Sequence, residues 1–300
     1  MTSDDVPVTA SETDILRYAA FATDPGGGNP AGVVLDASGL SAERMLAIAA
    51  EVGYSETAFL IADAAAAAVA EGRAEAGYTV RYFSPLLEVP FCGHATVASA
   101  VAIADRVGPG RYVFATPAGE VPIEVDKGVD GALRATLTSV EPHIEEVGEA
   151  DVAEALALLG WSADELDAAL PPRIAYAGAR HLVLAAATRD RLARLDYDFD
   201  GLAAYMTARG LTTLQLVWRE SEHVFHARDP FPVGGVVEDP ATGAAAAAFG
   251  AYLRERGAVT APATLTLHQG EDLGRPGVLG VELREGDTRV RVSGTAVAIP

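Results

Sequence analysis

The chain has 300 residues, half of them hydrophobic, a formal charge of −20 and one cysteine, Cys92. That length is ample for two domains of ordinary size. The excess of acid argues against a nucleic-acid partner, which needs clustered Lys and Arg; no apolar run free of Gly, Pro or charge reaches the roughly 18 residues of a membrane span; and a lone cysteine excludes an internal disulfide.

The opening MTSDDVPVTASETD is acidic and lacks an apolar signal core, so a cytoplasmic protein with a disordered tail over 1–12 is expected. Ile15 to Ala22 reads as a strand. DPGGGNPAG, Asp24 to Gly32, reads as a tight loop before the strand residues Val33, Val34 and Leu35. It lacks the Lys-Ser/Thr of a phosphate loop and leads into a strand, so Gly28 and Asn29 are expected to shape a turn bordering a cleft. Ser41 is placed to cap a helix from Ala42 to Val52 that Gly53 ends. YSETAFLI follows as a strand with Glu56 at its entrance, between Ser55 and Thr57. Such a carboxylate is either held at a solvated rim or partly desolvated, with the raised pKa that a proton carrier needs. The Ala/Glu stretch from Asp63 to Gly77 has no clear pattern.

From Arg81 a strand runs into a bend bounded by Pro85 and Pro90, and after Gly93 the period changes to that of a helix. Almost no face of that helix is polar before Asp105, so it must be surrounded by protein, as a central element with a sheet curled about it. His94 sits at its mouth, among the unsatisfied first-turn amides of Gly93 to Ala95. Strands are expected over Tyr112–Thr116, Glu120–Asp126 and Ala132–Leu137, then helices over Asp151–Leu159 and Ala163–Leu170. PPRIAYAGARHLVLAAA, LTTLQLVWRE and HVFHARDPFP read as strands, with loop and helix between the first two. His223 and His226 point to opposite faces of a strand and make no metal site. VEDPATGAAAAAFGAYLRERG repeats the earlier design, a Pro-bounded bend entering an apolar helix through Thr242, Gly243 and Ala244, with Asp239 expected where His94 stands in the first copy. Strands over Thr264–Leu267, Val278–Leu283 and Thr288–Ala298 close the chain. Two related domains whose helix N-termini face a shared cleft are expected. The single lysine, Lys127, lies in a KGVDG turn, so pyridoxal chemistry is not expected.

Four stretches in order carry a family resemblance: GNPAGVVL from Gly28, GYSETAFL from Gly53, FSPLLEVPFCGHATVASA ending at Ala100, and EDPATGA from Glu238. The chain resembles the PhzF-like proteins of phenazine biosynthesis, which have the diaminopimelate epimerase fold. The resemblance implies an α+β protein of two pseudo-symmetric domains, each a curled mixed or antiparallel sheet around a central helix, over 13–127 plus 286–300 and over 128–285. It also implies a homodimer and a cofactor-independent, metal-free isomerase of a small acidic substrate. Glu56 matches the group that carries the proton, while His94 and Asp239 match groups that hold and polarise the substrate. Asn29, Ser55, Gly93, Ala95, Thr242, Gly243 and Ala244 are expected around the substrate. Ala244 departs from the Ser usual in the family. Plainer roles exist: His94 as a helix-start hydrogen-bond partner, Asp239 as an N-cap, Cys92 as a small buried apolar residue. A two-thiol racemase would need a second cysteine, and Asp239 is expected opposite Cys92. A ligand-binding protein on the same fold is the non-enzymatic alternative. A serine nucleophile elbow at Ser55 fails, because Thr57 and a strand follow it.

Overall fold

The computed structural model describes residues 13–63 and 76–300. The expected tail, 1–12, and most of the Ala/Glu stretch lie outside the described residues. The protein is mixed α+β, built on two sets of strands that pair in the same order.

The first set comprises β1 (Leu16–Ala20), β2 (Asn29–Val34), β3 (Thr57–Ala62), β4 (Ala76–Phe83), β6 (Gly110–Thr116), β7 (Gly119–Lys127) and β8 (Leu133–Thr138), with the two-residue β5 (Glu88–Val89) folded back on β4. Neighbours pair in that order, and β8 then pairs with β17 (Val290–Ala298), which returns to β1, so eight strands close a ring. β8 lies beyond residue 127, so the ring extends to Thr138 before it takes back the C-terminal strand. The second set is β9 (His143–Glu145), β10 (Arg173–Tyr176), β11 (Arg180–Ala186), β12 (Thr213–Arg219), β13 (Val224–Pro230), β15 (Ala263–Gln269) and β16 (Gly277–Leu283), ending on β17, with β14 (Glu238–Asp239) folded back on β13. From β1 and from β10 the steps are alike: antiparallel, parallel, antiparallel, parallel, antiparallel, antiparallel.

Each parallel step needs a crossover. The first crossover of each half runs outside: α1 (Ala42–Val52) in one, and α4 (Arg189–Ala193) with α5 (Phe199–Arg209) in the other, while α3 (Glu149–Leu159) packs on α5. Ser41 caps α1 by accepting from the Arg44 amide, and Gly53 and Gly210 end α1 and α5 in the left-handed conformation. The second crossover runs inside: α2 (Gly93–Val107) and α6 (Gly243–Glu255). Every residue of α2 from Gly93 to Ala104 is buried, and so is every residue of α6 from Ala245 to Leu253. Alanines on all faces let the sheet wrap closely, and larger side chains such as Val97, Ile103 and Phe249 supply most of the hydrophobic gain, at roughly 1.5–3 kcal/mol each. One apolar cluster runs without a break from Val101 in α2 to Phe249 and Tyr252 in α6, so the two halves share a core.

The helix expected over Ala163–Leu170 is a single 3₁₀ turn, Ala163–Glu165. Ser162 and Glu165 close that turn by reciprocal capping, Leu166 then bridges to Ala186, and Pro171 and Pro172 bar any continuation.

Candidate active site

The two central helices meet at their N-termini. A Cβ added to Gly93 would lie 3.4 Å from the Cα of Gly243 and from the amide nitrogen of Ala244, in ordinary van der Waals contact, so the two starts abut. Neither start has a side-chain cap, because the Thr242 hydroxyl turns away to donate to Asp239 Oδ2 at 2.6 Å. The positive ends of two long helix dipoles therefore converge. Beside them opens a cavity of about 390 Å³ whose wall includes Glu56, Cys92, His94, Asp239, Thr242 and Ala244.

The repeated pairing fixes which residues correspond. β5 and β14 each precede a central helix by the same spacing, EVPFCGH against EDPATGA, so Val89 is the counterpart of Asp239, Cys92 of Thr242, and His94 of Ala244. This corrects the expectation that Asp239 takes the place of His94 and faces Cys92; counting from each helix start, a titratable residue precedes one helix and lies inside the other. The ion pair bracing each bend is also duplicated, Arg81 with Glu88 and Arg228 with Glu238.

The polar groups gather from both halves. Asn29, buried at the start of β2, has its Nδ2 2.7 Å from Asp239 Oδ1, 3.1 Å from the Ala241 carbonyl and 3.0 Å from His94 Nδ1. Its amide reaches there because Gly28 takes a φ of 51°, and because Arg275 of the second half donates to the Gly27 and Gly28 carbonyls. With Nδ1 of His94 facing an amide donor, its proton belongs on Nε2, which lies 3.4 Å from Glu56 Oε2 and 3.4 Å from Ser55 Oγ. Glu56, His94, Asn29 and Asp239 are thus one buried network.

Burial pushes the Asp239 carboxyl up from its ordinary 3.8 to about 6; Glu56 adds to the rise, while His94, Thr242 and Asn29 oppose it. Burial, with the Glu56 charge behind it, raises the Cys92 thiol well above the usual range, so it is a poor nucleophile. Glu56, Cys92 and His94 form the only grouping of three potential metal ligands among the described residues. The surroundings of His94 do not suit an ion, since a ligating histidine donates from its other nitrogen to an acceptor, and here that nitrogen faces the Asn29 NH₂. Lys127 ends β7 on the exposed surface and is not in the cavity wall. His226 is held by Glu220 and Glu271, acidic neighbours that only the fold brings together.

Two helix N-termini, a carboxylate at a strand entrance and an Asp-Pro bend thus occupy one cleft. Residues 18–300 match the family described as phenazine biosynthesis-like protein, PhzC-PhzF. The chain belongs to that family. An uncharacterised isomerase of Deinococcus radiodurans is 34% identical, over 94% of this chain and 90% of that protein. The trans-2,3-dihydro-3-hydroxyanthranilate isomerase of Pseudomonas chlororaphis is 31% identical, over 93% and 94%. The crystal structure of a PhzF-family phenazine biosynthesis protein of Bacillus anthracis matches with a TM-score of 0.81 at 25% identity, covering 95% of this chain and 96% of that one. A probable proline racemase of Agrobacterium radiobacter shares the fold, with a TM-score of 0.63 at 11% identity, over 95% and 90% of the two chains.

Sequence reading missed several residues of this PhzC-PhzF site. Gln269 accepts from the Thr242 amide at 3.0 Å and donates to the Asp239 carbonyl at 2.9 Å, fixing the second helix start. Asp229, fully buried, stands opposite Asp239 across the β13–β14 pair, with the Gln215 side-chain amide 2.8 and 3.0 Å from its carboxyl oxygens; burial first of all drives its carboxyl well up. Phe21 has a φ of 63°, rare for an aromatic residue, and its ring lies against Gly243. Gln269 and Asp229 sit near strand ends, where no local pattern marks them.

Proposed function

We propose that this chain is a cofactor-independent isomerase that moves a proton between two carbons of a small unsaturated carboxylic or amino acid. Its two halves act as domains enclosing the cleft. The observation that carries the reading is the placement of one carboxylate, Glu56, against the proton-bearing Nε2 of His94 at the point where two uncapped helix N-termini converge. A substrate carboxylate resting on those amides gains the field of both helices. Removal of the proton beside that carboxylate and a double bond then spreads charge toward the same donors, which stabilise it where it develops. Glu56 takes the proton, and one carboxyl suffices to return it at a second carbon of the same conjugated system. His94, its Nε2 3.4 Å from the Glu56 carboxylate, stands beside the group that carries the proton, while Asp239, kept in place by Asn29 and Thr242, polarises the substrate from the second half. A two-thiol racemase is disfavoured, since the counterpart of Cys92 is Thr242, a poor acid at any working pH.

The test is proton NMR in D₂O with wild type and Glu56→Gln on a panel of cyclic and open-chain β,γ-unsaturated acids and amino acids. The panel includes trans-2,3-dihydro-3-hydroxyanthranilate, named in the Pseudomonas relatives. Deuterium uptake or double-bond migration that vanishes in Glu56→Gln is the expected result. Equal exchange by both proteins would remove Glu56 as the base.

A further inference from the structure

The mirror position of Glu56 in the second half is occupied. Glu56 lies three residues after the helix-ending Gly53, and Thr213 lies three residues after the helix-ending Gly210. The lateral register agrees. Continuing the β2–β3 register by one residue sets Ala31 beside Glu56, and the β11–β12 register sets His181 beside Thr213. Thr213 therefore corresponds to Glu56, and His181 to Ala31.

These two residues form a polar couple in the cavity wall. His181 Nδ1 lies 2.8 Å from Thr213 Oγ1, and both residues line the same cavity as Glu56 and His94. His181 is fully buried, and its Nε2 has no hydrogen-bond partner. A buried ring nitrogen left unmatched is unfavourable in the empty protein and becomes favourable when a bound molecule supplies the partner. Burial also drives the imidazole down to about 3, so the ring is neutral across the working range.

We propose that His181, held by Thr213, receives a hydroxyl group of the substrate on the wall opposite Glu56. This rests on the reading of the cleft as an acid-binding isomerase site and adds what that acid carries. A hydroxyl is the group the couple suits best. The threonine hydroxyl can donate to Nδ1 or accept from it, so Nε2 is left as donor or acceptor, and a hydroxyl answers either form. An ammonium fits only the acceptor form. A carboxylate would lie against an uncharged ring in a largely apolar wall, whereas the convergent helix starts offer it a better seat. His181 is thus a specificity-determining residue, and Glu56 remains the group that moves the proton.

The experiment measures binding, by ligand-observed NMR and calorimetry, of a β,γ-unsaturated cyclohexenecarboxylate and of its analogue bearing a hydroxyl across the ring from the carboxylate. Wild type, His181→Phe, which keeps a ring without ring nitrogens, and His181→Gln, which keeps a polar end, are compared. Wild type should bind the hydroxylated acid at least about fivefold more tightly. In His181→Phe that preference should fall below about twofold with affinity for the plain acid retained, and His181→Gln should restore part of it. Equal binding of the two acids by wild type, or a preference that survives in His181→Phe, overturns the proposal. A loss of both acids together in His181→Phe shows a purely structural role and also overturns it. If the acids bind equally while exchange still depends on Glu56, only His181 is misassigned; if neither acid binds wild type, the acid-binding cleft falls with it.

Discussion

The two halves of this PhzC-PhzF protein share a strand order, a central helix and a braced bend, yet they carry different groups at matching positions. The first half places Glu56, Cys92 and His94 at positions where the second has Thr213, Thr242 and Ala244; the second places Asp239 where the first has Val89. A site with the same group on both walls would suit removal of a proton from one face of a carbon and delivery to the other. Here the walls differ, which suits one proton carrier with fixed polar groups opposite it. The bracing ion pair shows how the same contact acquires different weight: Arg81 and Glu88 are about a third exposed, whereas Arg228 and Glu238 have side chains only 9% and 1% exposed.

The largest effects are expected at the mirrored positions themselves. Glu56→Gln should lower carbon-proton exchange by about 10²–10⁴, the range for loss of general acid/base catalysis, while Thr213→Val should cost no more than about tenfold, the loss of one hydrogen bond. Exchange rates in D₂O check both, and equal losses would mean that the halves contribute alike. Next come the ion pairs. Glu238→Gln leaves a buried guanidinium without its partner and should cost about 3–5 kcal/mol, against under about 1 kcal/mol for Glu88→Gln; denaturant unfolding of the two variants measures the gap.

Asp239 supplies a pH-dependent contrast with Val89. Its carboxyl titrates near 6 in the folded chain against 3.8 ordinarily, so between those values the folded state binds more protons than the unfolded one. Its contribution is fully present below about 3.8 and is lost as pH rises through about 6. Wild type should therefore lose stability relative to Asp239→Asn over that window, as unfolding curves at a series of pH values will show; parallel curves would place the carboxyl at its ordinary value. The smallest effect is expected at Ala244, the counterpart of His94. Ala244→Ser adds a hydroxyl at the helix mouth and should change the affinity for an acid ligand by no more than the 0.5–1.5 kcal/mol of one net hydrogen bond.

Much of this was readable along the chain, and the reason is local. Each central helix announces itself by a bend with a proline, a glycine start and a run without a polar face, because a helix surrounded by sheet admits no charged side. His94 and Asp239 are legible because each sits beside such a marker, whereas Glu56, at the entrance of a strand, is singled out only by the family likeness of GYSETAFL. What the chain by itself determined was therefore the two buried helices, the strands that must wrap them, and the polar residues at their mouths. The misreading of Ala163–Leu170 has the same local origin, since an acidic, alanine-rich stretch carries helix propensity that a bridge at Leu166 and two prolines override.

Only the tertiary structure decided which residues face one another. Strand register joins the spacing from each helix in making Val89 the counterpart of Asp239 and Thr213 that of Glu56, because a slip of one residue along a strand turns every side chain to the other face. Asn29 and Asp239 are 210 positions apart and share a hydrogen bond. Gln269, Asp229 and His181 lie at strand ends that look ordinary in isolation. They became part of the site when the closed ring of the first half and the strands of the second, joined through β17, brought both helix N-termini and the polar groups of both halves to a single cleft.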